Sequence, residues 1–109
     1  LGLELWGYCA TESDEFKVSG DSQAISLKIS VPALFPPLGD NAWGRISPSA
    51  QERLLNHYAI SVDGIVRLRG QSCGPSPARE PVYFSVNPIG GSVVAEKLGG
   101  RLLRYSQRL

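Results

Sequence analysis

The pair Asp63-Gly64 sits between two runs of β-prone residues, "HYAISV" (57–62) and "IVRLRG" (65–70). No other feature constrains the chain as tightly. A two-residue Asp-Gly link between alternating apolar runs is the strongest short-range signal for a tight hairpin, because both central positions must accept positive φ. Tyr58, Ile60 and Val62 then share one face. Val66 and Leu68 line a face of the return strand, with Arg67 and Arg69 on the other side. The hairpin holds the only histidine, His57, at its entry, and leads to one of the two cysteines, Cys73. A hairpin of this kind is scaffold, so the question is what else the chain builds around it.

A second alternating run, "AISLKISVP", places Ile25, Leu27, Ile29 and Val31 on one face against Ser26, Lys28 and Ser30, the period of a half-buried strand. Pro32 ends its supply of amide donors. "LGLELWGYCA" reads as an edge strand, and "DEFKVSGDSQ" as a short strand running into a turn at Gly20-Asp21. "ALFPPLGD" is a proline-stiffened connection, and "NAWGRIS" a strand carrying Trp43. Ser47-Pro48 opens a short helix over "SAQERLL", with serine as cap and proline at the first helical position. "VYFSVNP" reads as a strand. "SVVAEKL" and "RLLRYSQ", joined by Gly99-Gly100, read as a further hairpin. The expected fold is all-β: one domain over residues 1–109, a small β-sandwich or partly open barrel of about seven or eight short, mostly antiparallel strands with one short helix. Twelve glycines and eight prolines in 109 residues agree with many turns rather than long helices.

Charge is nearly balanced, at +1 overall, so the whole chain is not a magnet for nucleic acid. Its distribution is uneven. Residues 1–24 carry five acids against Lys17. Residues 97–109 carry Lys97, Arg101, Arg104 and Arg108 with no acid. The basic end suits an acidic partner or a membrane surface; the plainer reading is neutralisation between neighbouring strands. "RLLRYSQRL" offers one tyrosine and no stacking platform for bases, so no nucleic-acid partner is expected.

Cys9 and Cys73 form no CxxC pattern, which argues against a metal or redox motif. A structural disulfide between them is the expectation, with a reactive thiol as the alternative; a bridge points to an oxidising compartment such as the periplasm. Tyr8 stands where a lipobox needs a small residue, so Cys9 is not expected to be lipidated. An acyl anchor on a segment upstream of Leu1 remains compatible with the sequence.

Catalytic chemistry finds little support. His57 is the single base candidate and has no motif around it. There is no nucleophile elbow, no glycine-rich phosphate loop before a helix and no set of metal ligands. The expectation is a non-enzyme with no catalytic residues, no metal, no cofactor and no small-molecule substrate.

Three blocks resemble a known family. "ISLKISVPALFPPLGDNAWGRIS", "EPVYFSVNP" and "GGRLLRYSQ" follow, in order, the strand–proline loop–strand, the proline-ended strand and the final strand of the YscW/YbaY-like outer-membrane lipoproteins. Asn87 stands where those proteins more often have aspartate. The small, compact members resemble type III secretion pilotins of the YscW/ExsB type. That resemblance implies a periplasm-facing lipoprotein of the outer membrane. Such a protein binds a C-terminal segment of a secretin and assists its targeting and assembly. The alternative is a periplasmic or secreted β-domain acting as a structural or inhibitory module. For partner binding, Leu34, Phe35, Leu38 and Trp43 cluster around Pro36-Pro37, and aromatic anchors carry large binding energies when desolvated. Phe35 and Trp43 fit equally as plugs of the sandwich core. The other mode is strand addition at an open sheet edge.

Overall fold

The computed structural model describes residues 2–5, 9–17, 24–74, 77 and 101–109. Over these residues the chain is mostly strands with one α-helix. The strands are β1 (Gly2–Leu5), β2 (Cys9–Glu12), β3 (Leu27–Ser30), β4 (His57–Val62) and β5 (Ile65–Gln71); the helix is α1 (Pro48–Asn56). β1 and β2 pair antiparallel, from Gly2 opposite Glu12 to Leu5 opposite Cys9. β3, β4 and β5 form a three-stranded antiparallel sheet in that order.

The hairpin forms where the Asp-Gly pair requires it. Asp63 has φ 50° and Gly64 φ 82°, both in the left-handed region, and their twist suits the flanking strands. Asp63 also joins the turn to the lead-in of β3. Its carboxylate Oδ1 accepts from the Ser26 amide at 2.9 Å, and its own amide donates to the Ser26 carbonyl at 2.8 Å. Replacing Asp63 with alanine removes that acceptor and places a residue intolerant of positive φ in the turn. Asp63→Ala is therefore expected to cost about 1–2 kcal/mol in urea unfolding, and Asp63→Asn well under half of that. Superimposable unfolding curves for wild type and Asp63→Ala would contradict this role.

Register places the apolar face. Ile29 lies opposite Ile60, Ile60 opposite Leu68, and Tyr58 opposite Gly70. Val31, Tyr58, Ile60 and Leu68 form the buried cluster, with Ala33 packed on it. At Gly70 a Cβ would sit 2.7 Å from the Tyr58 hydroxyl oxygen, so glycine lets the tyrosine ring lie across the strand. The ladder slips by one between Ile60 and Ser61, leaving Arg67 as the extra residue between Val66 and Leu68. The Arg67 guanidinium stacks 4.4 Å above the Phe16 ring, tying the segment after β2 to the sheet. Leu27 and Ile29 share the core face of β3 yet remain exposed.

α1 starts as its sequence dictates, with the Ser47 hydroxyl accepting from the Ala50 amide at 3.3 Å and Pro48 opening the first turn. It ends where the His57 amide donates to the Arg53 carbonyl.

Several expected elements take other forms. "LGLELWGYCA" yields β1 and the start of β2 rather than one edge strand. "NAWGR" is a 3-10 helix, not a strand: the Asp40 carboxylate accepts from the Ala42 amide at 2.9 Å, so a local cap offers the backbone an alternative to a ladder. Residues 13–17 and 101–109 carry no regular secondary structure, so neither "DEFK" nor "RLLRYSQ" is a strand. The strands expected at 82–88 and 92–98 lie outside the described residues. Five strands are thus present among the described residues.

Candidate binding surface

The proline-rich connection leaves β3 through two tight turns and is braced from behind by a tryptophan. After Val31, the residues Pro32–Leu34 form a short 3-10 helix, with the Leu34 amide donating to the Val31 carbonyl at 2.9 Å and the Phe35 amide to Pro32 at 3.0 Å. Pro32 is fully buried. Pro36 and Pro37 have no amide hydrogen to pair, so the chain here cannot continue the ladder. The Asp40 amide closes the following turn on the Pro37 carbonyl at 2.9 Å. Asp40 then caps the 3-10 helix Asn41–Arg45, which carries Trp43 back underneath the loop.

Trp43 is only 6% exposed. Its indole Nε1–H donates to both the Pro36 and Pro37 carbonyls, at 3.0 and 3.1 Å. The Phe35 ring meets it edge to face, with centroids 6.0 Å apart and planes inclined at 72°. From α1, the Gln51 side-chain amide donates to the carbonyls of Trp43 and Ile46 at 2.8 and 2.9 Å. The loop is thereby fixed from both sides. What it leaves at the surface is Leu38, 56% exposed, and Leu34, 36% exposed, with Phe35 half-buried.

Of the four residues singled out by sequence, Trp43 and Phe35 pack against each other, and Leu34 and Leu38 are exposed on the same connection. Sequence reasoning did not identify Gln51 as a clamp or Asp40 as a cap. It also missed Gln107, whose side-chain amide donates to the Leu34 carbonyl at 3.0 Å across 73 positions of sequence, while the Tyr105 hydroxyl donates to Gln107 Oε1 at 2.9 Å. The alternative mode, strand addition, would use the outer edge of β3 or β5, the two outer strands of the sheet among the described residues.

Cys73 is disulfide-bonded, and no cysteine is free among the described residues; Cys9 is the one other cysteine of the sequence. His57 is exposed at the helix–strand junction, its Nδ1 3.2 Å from the Arg53 carbonyl. It borders a depression of about 300 Å³ shared with Arg53 and Ser30, and none of the described residues lining that depression carries a carboxylate. His57→Ala is expected to shift unfolding free energy by no more than about 0.5 kcal/mol, as for other exposed sites; a loss above about 2 kcal/mol would give the imidazole a structural role. Among the described residues no group of three or more His, Cys, Asp or Glu side chains is disposed to hold a metal, and no helix is long and apolar enough to cross a membrane.

Comparison with protein-family models, with curated proteins and with solved structures finds no match to the chain.

Proposed function

We propose that this domain is a non-enzymatic binding module that works as a pilotin-like protein, holding a secretin C-terminal segment and assisting its targeting to the outer membrane. The observation that carries the reading is the braced proline loop. A surface pre-set by proline, a buried indole and the Gln51 clamp loses little freedom when a guest binds, so Leu34 and Leu38 contribute affinity that a floppy loop would spend on ordering. The resemblance in the strand–proline loop–strand block points to the same partner. In this reading the two sheets are layers of a β-sandwich or partly open barrel, the protein faces the periplasm, and a lipid chain ties it to the outer membrane. A disulfide at Cys73 is consistent with an oxidising compartment. Recognition occurs without bond-making, and no cofactor takes part.

The test is titration of the protein with a synthetic peptide from a secretin C-terminus, read by amide chemical shifts. Leu34→Asp and Leu38→Asp are expected to weaken binding at least tenfold each, because an aspartate in an apolar contact is left desolvated, while stability changes by less than about 1 kcal/mol at these exposed positions. Shifts confined to the edge of β3 or β5, unaffected by either substitution, would move the site to strand addition. Inhibition of an enzyme in place of peptide binding would favour the inhibitory module.

A further inference from the structure

Residues 101–109, "RLLRYSQRL", hold three arginines, three leucines, one tyrosine and no acidic side chain. A chain with a net charge of only +1 thus concentrates positive charge in one short stretch. Two features of the structure set this stretch apart from an ordinary solvated segment. First, its apolar side chains are not buried: Leu103 is 65% exposed, and Leu102 and Tyr105 are likewise exposed, as are Arg101, Arg104 and Arg108. Second, the stretch is pinned. Gln107 donates to the Leu34 carbonyl and accepts from the Tyr105 hydroxyl, so the segment lies beside the proline loop, next to another exposed leucine.

We infer that residues 101–109 form a docking segment for an anionic lipid bilayer surface. The chemistry fits such a surface better than an acidic protein. Arginines interleaved with leucines and a tyrosine place guanidinium groups at headgroup phosphates while the apolar groups enter the interface, where tyrosine is at home. An acidic peptide would pair with the arginines but leave Leu102 and Leu103 in water. Pinning through Gln107 keeps the segment on one side of the domain, so docking orients the whole molecule rather than tethering it loosely. The inference stands independently of the secretin reading, because it uses no protein partner.

The test uses the 109-residue protein in flotation with vesicles of equimolar phosphatidylglycerol and phosphatidylcholine, and with vesicles of phosphatidylcholine alone. Partition into the mixed vesicles is expected to exceed partition into phosphatidylcholine by at least tenfold, and to fall away at about 0.5 M salt as screening removes the attraction. The triple substitution Arg101→Gln, Arg104→Gln, Arg108→Gln is expected to lower partition about a hundredfold. The pair Leu102→Ser, Leu103→Ser is expected to lower it about tenfold, because apolar insertion is lost while charge is kept. All five positions are exposed, and circular dichroism of each variant should match the wild type. Equal partition into both vesicle types, or no loss in the triple variant, would overturn the inference. So would binding of poly-glutamate with no vesicle partition, which would assign the segment to an acidic protein.

Discussion

Reduction of the protein is expected to lower its melting temperature by upwards of about 15 °C. Cys73 is disulfide-bonded, and the expected partner is Cys9, the one other cysteine of the sequence. Such a bridge would close a loop of about 65 residues, for which chain entropy gives roughly 4 kcal/mol of stabilisation. In a domain of this size each kcal/mol is worth several degrees. The two described sheets share no strand, so the expected bridge would tie them directly. The double variant Cys9→Ser, Cys73→Ser should melt at the reduced temperature and ignore reductant. Identical melting curves with and without reductant, together with two titratable thiols in the native protein, would remove the bridge from the account.

Trp43→Ala is expected to cost about 3–5 kcal/mol, the range for deleting a large buried aromatic. More than burial is lost. The Pro36 and Pro37 carbonyls lose their shared indole donor, and Phe35 loses the ring its edge packs against. The connection from β3 to α1 would keep its turns but not its position, and Leu34 and Leu38 would lose their fixed presentation. Trp43→Phe separates the two contributions. It restores most of the apolar contact, lacks the N–H, and is expected to cost about 1–2 kcal/mol. If Trp43→Phe were as damaging as Trp43→Ala in chemical unfolding, the paired indole hydrogen bonds, lost in both variants, rather than apolar burial would hold the loop. If Trp43→Ala were nearly neutral, the brace described here would not exist.

What the sequence made legible was local chemistry. Asp63-Gly64 specifies a turn with two positive φ values, and Ser47-Pro48 specifies a helix start; both depend on residues within a few positions. The alternation of residues 25–31 gave a strand, Leu27–Ser30, but of its expected inward set only Val31 is buried, while Ile25, Leu27 and Ile29 are exposed. It did not foretell that Leu27 and Ile29 stay exposed, because exposure depends on what covers the sheet rather than on period. The residues "NAWGR" have strand-like composition, yet Asp40 caps them into a 3-10 helix and Gln51 of α1 fixes the result, a tertiary choice that no short window encodes. In the same way, the grouping of Leu34, Phe35, Leu38 and Trp43 around two prolines was readable. That Trp43 is buried while Leu34 and Leu38 stay exposed was not, since it rests on where the indole N–H is held. The Gln107–Leu34 bond spans 73 positions, and nothing in "RLLRYSQRL" announces it.

Under the proposed function, the stiffened loop offers two exposed leucines, Leu34 and Leu38, to a partner segment. The most direct measurement is amide chemical-shift titration of the oxidised protein with a secretin C-terminal peptide. The account predicts saturable shifts centred on Leu34, Phe35 and Leu38, abolished in Leu38→Asp and preserved in His57→Ala. A spectrum unmoved by the peptide, with a small-molecule substrate turned over in a reaction that His57→Ala abolishes, would contradict it.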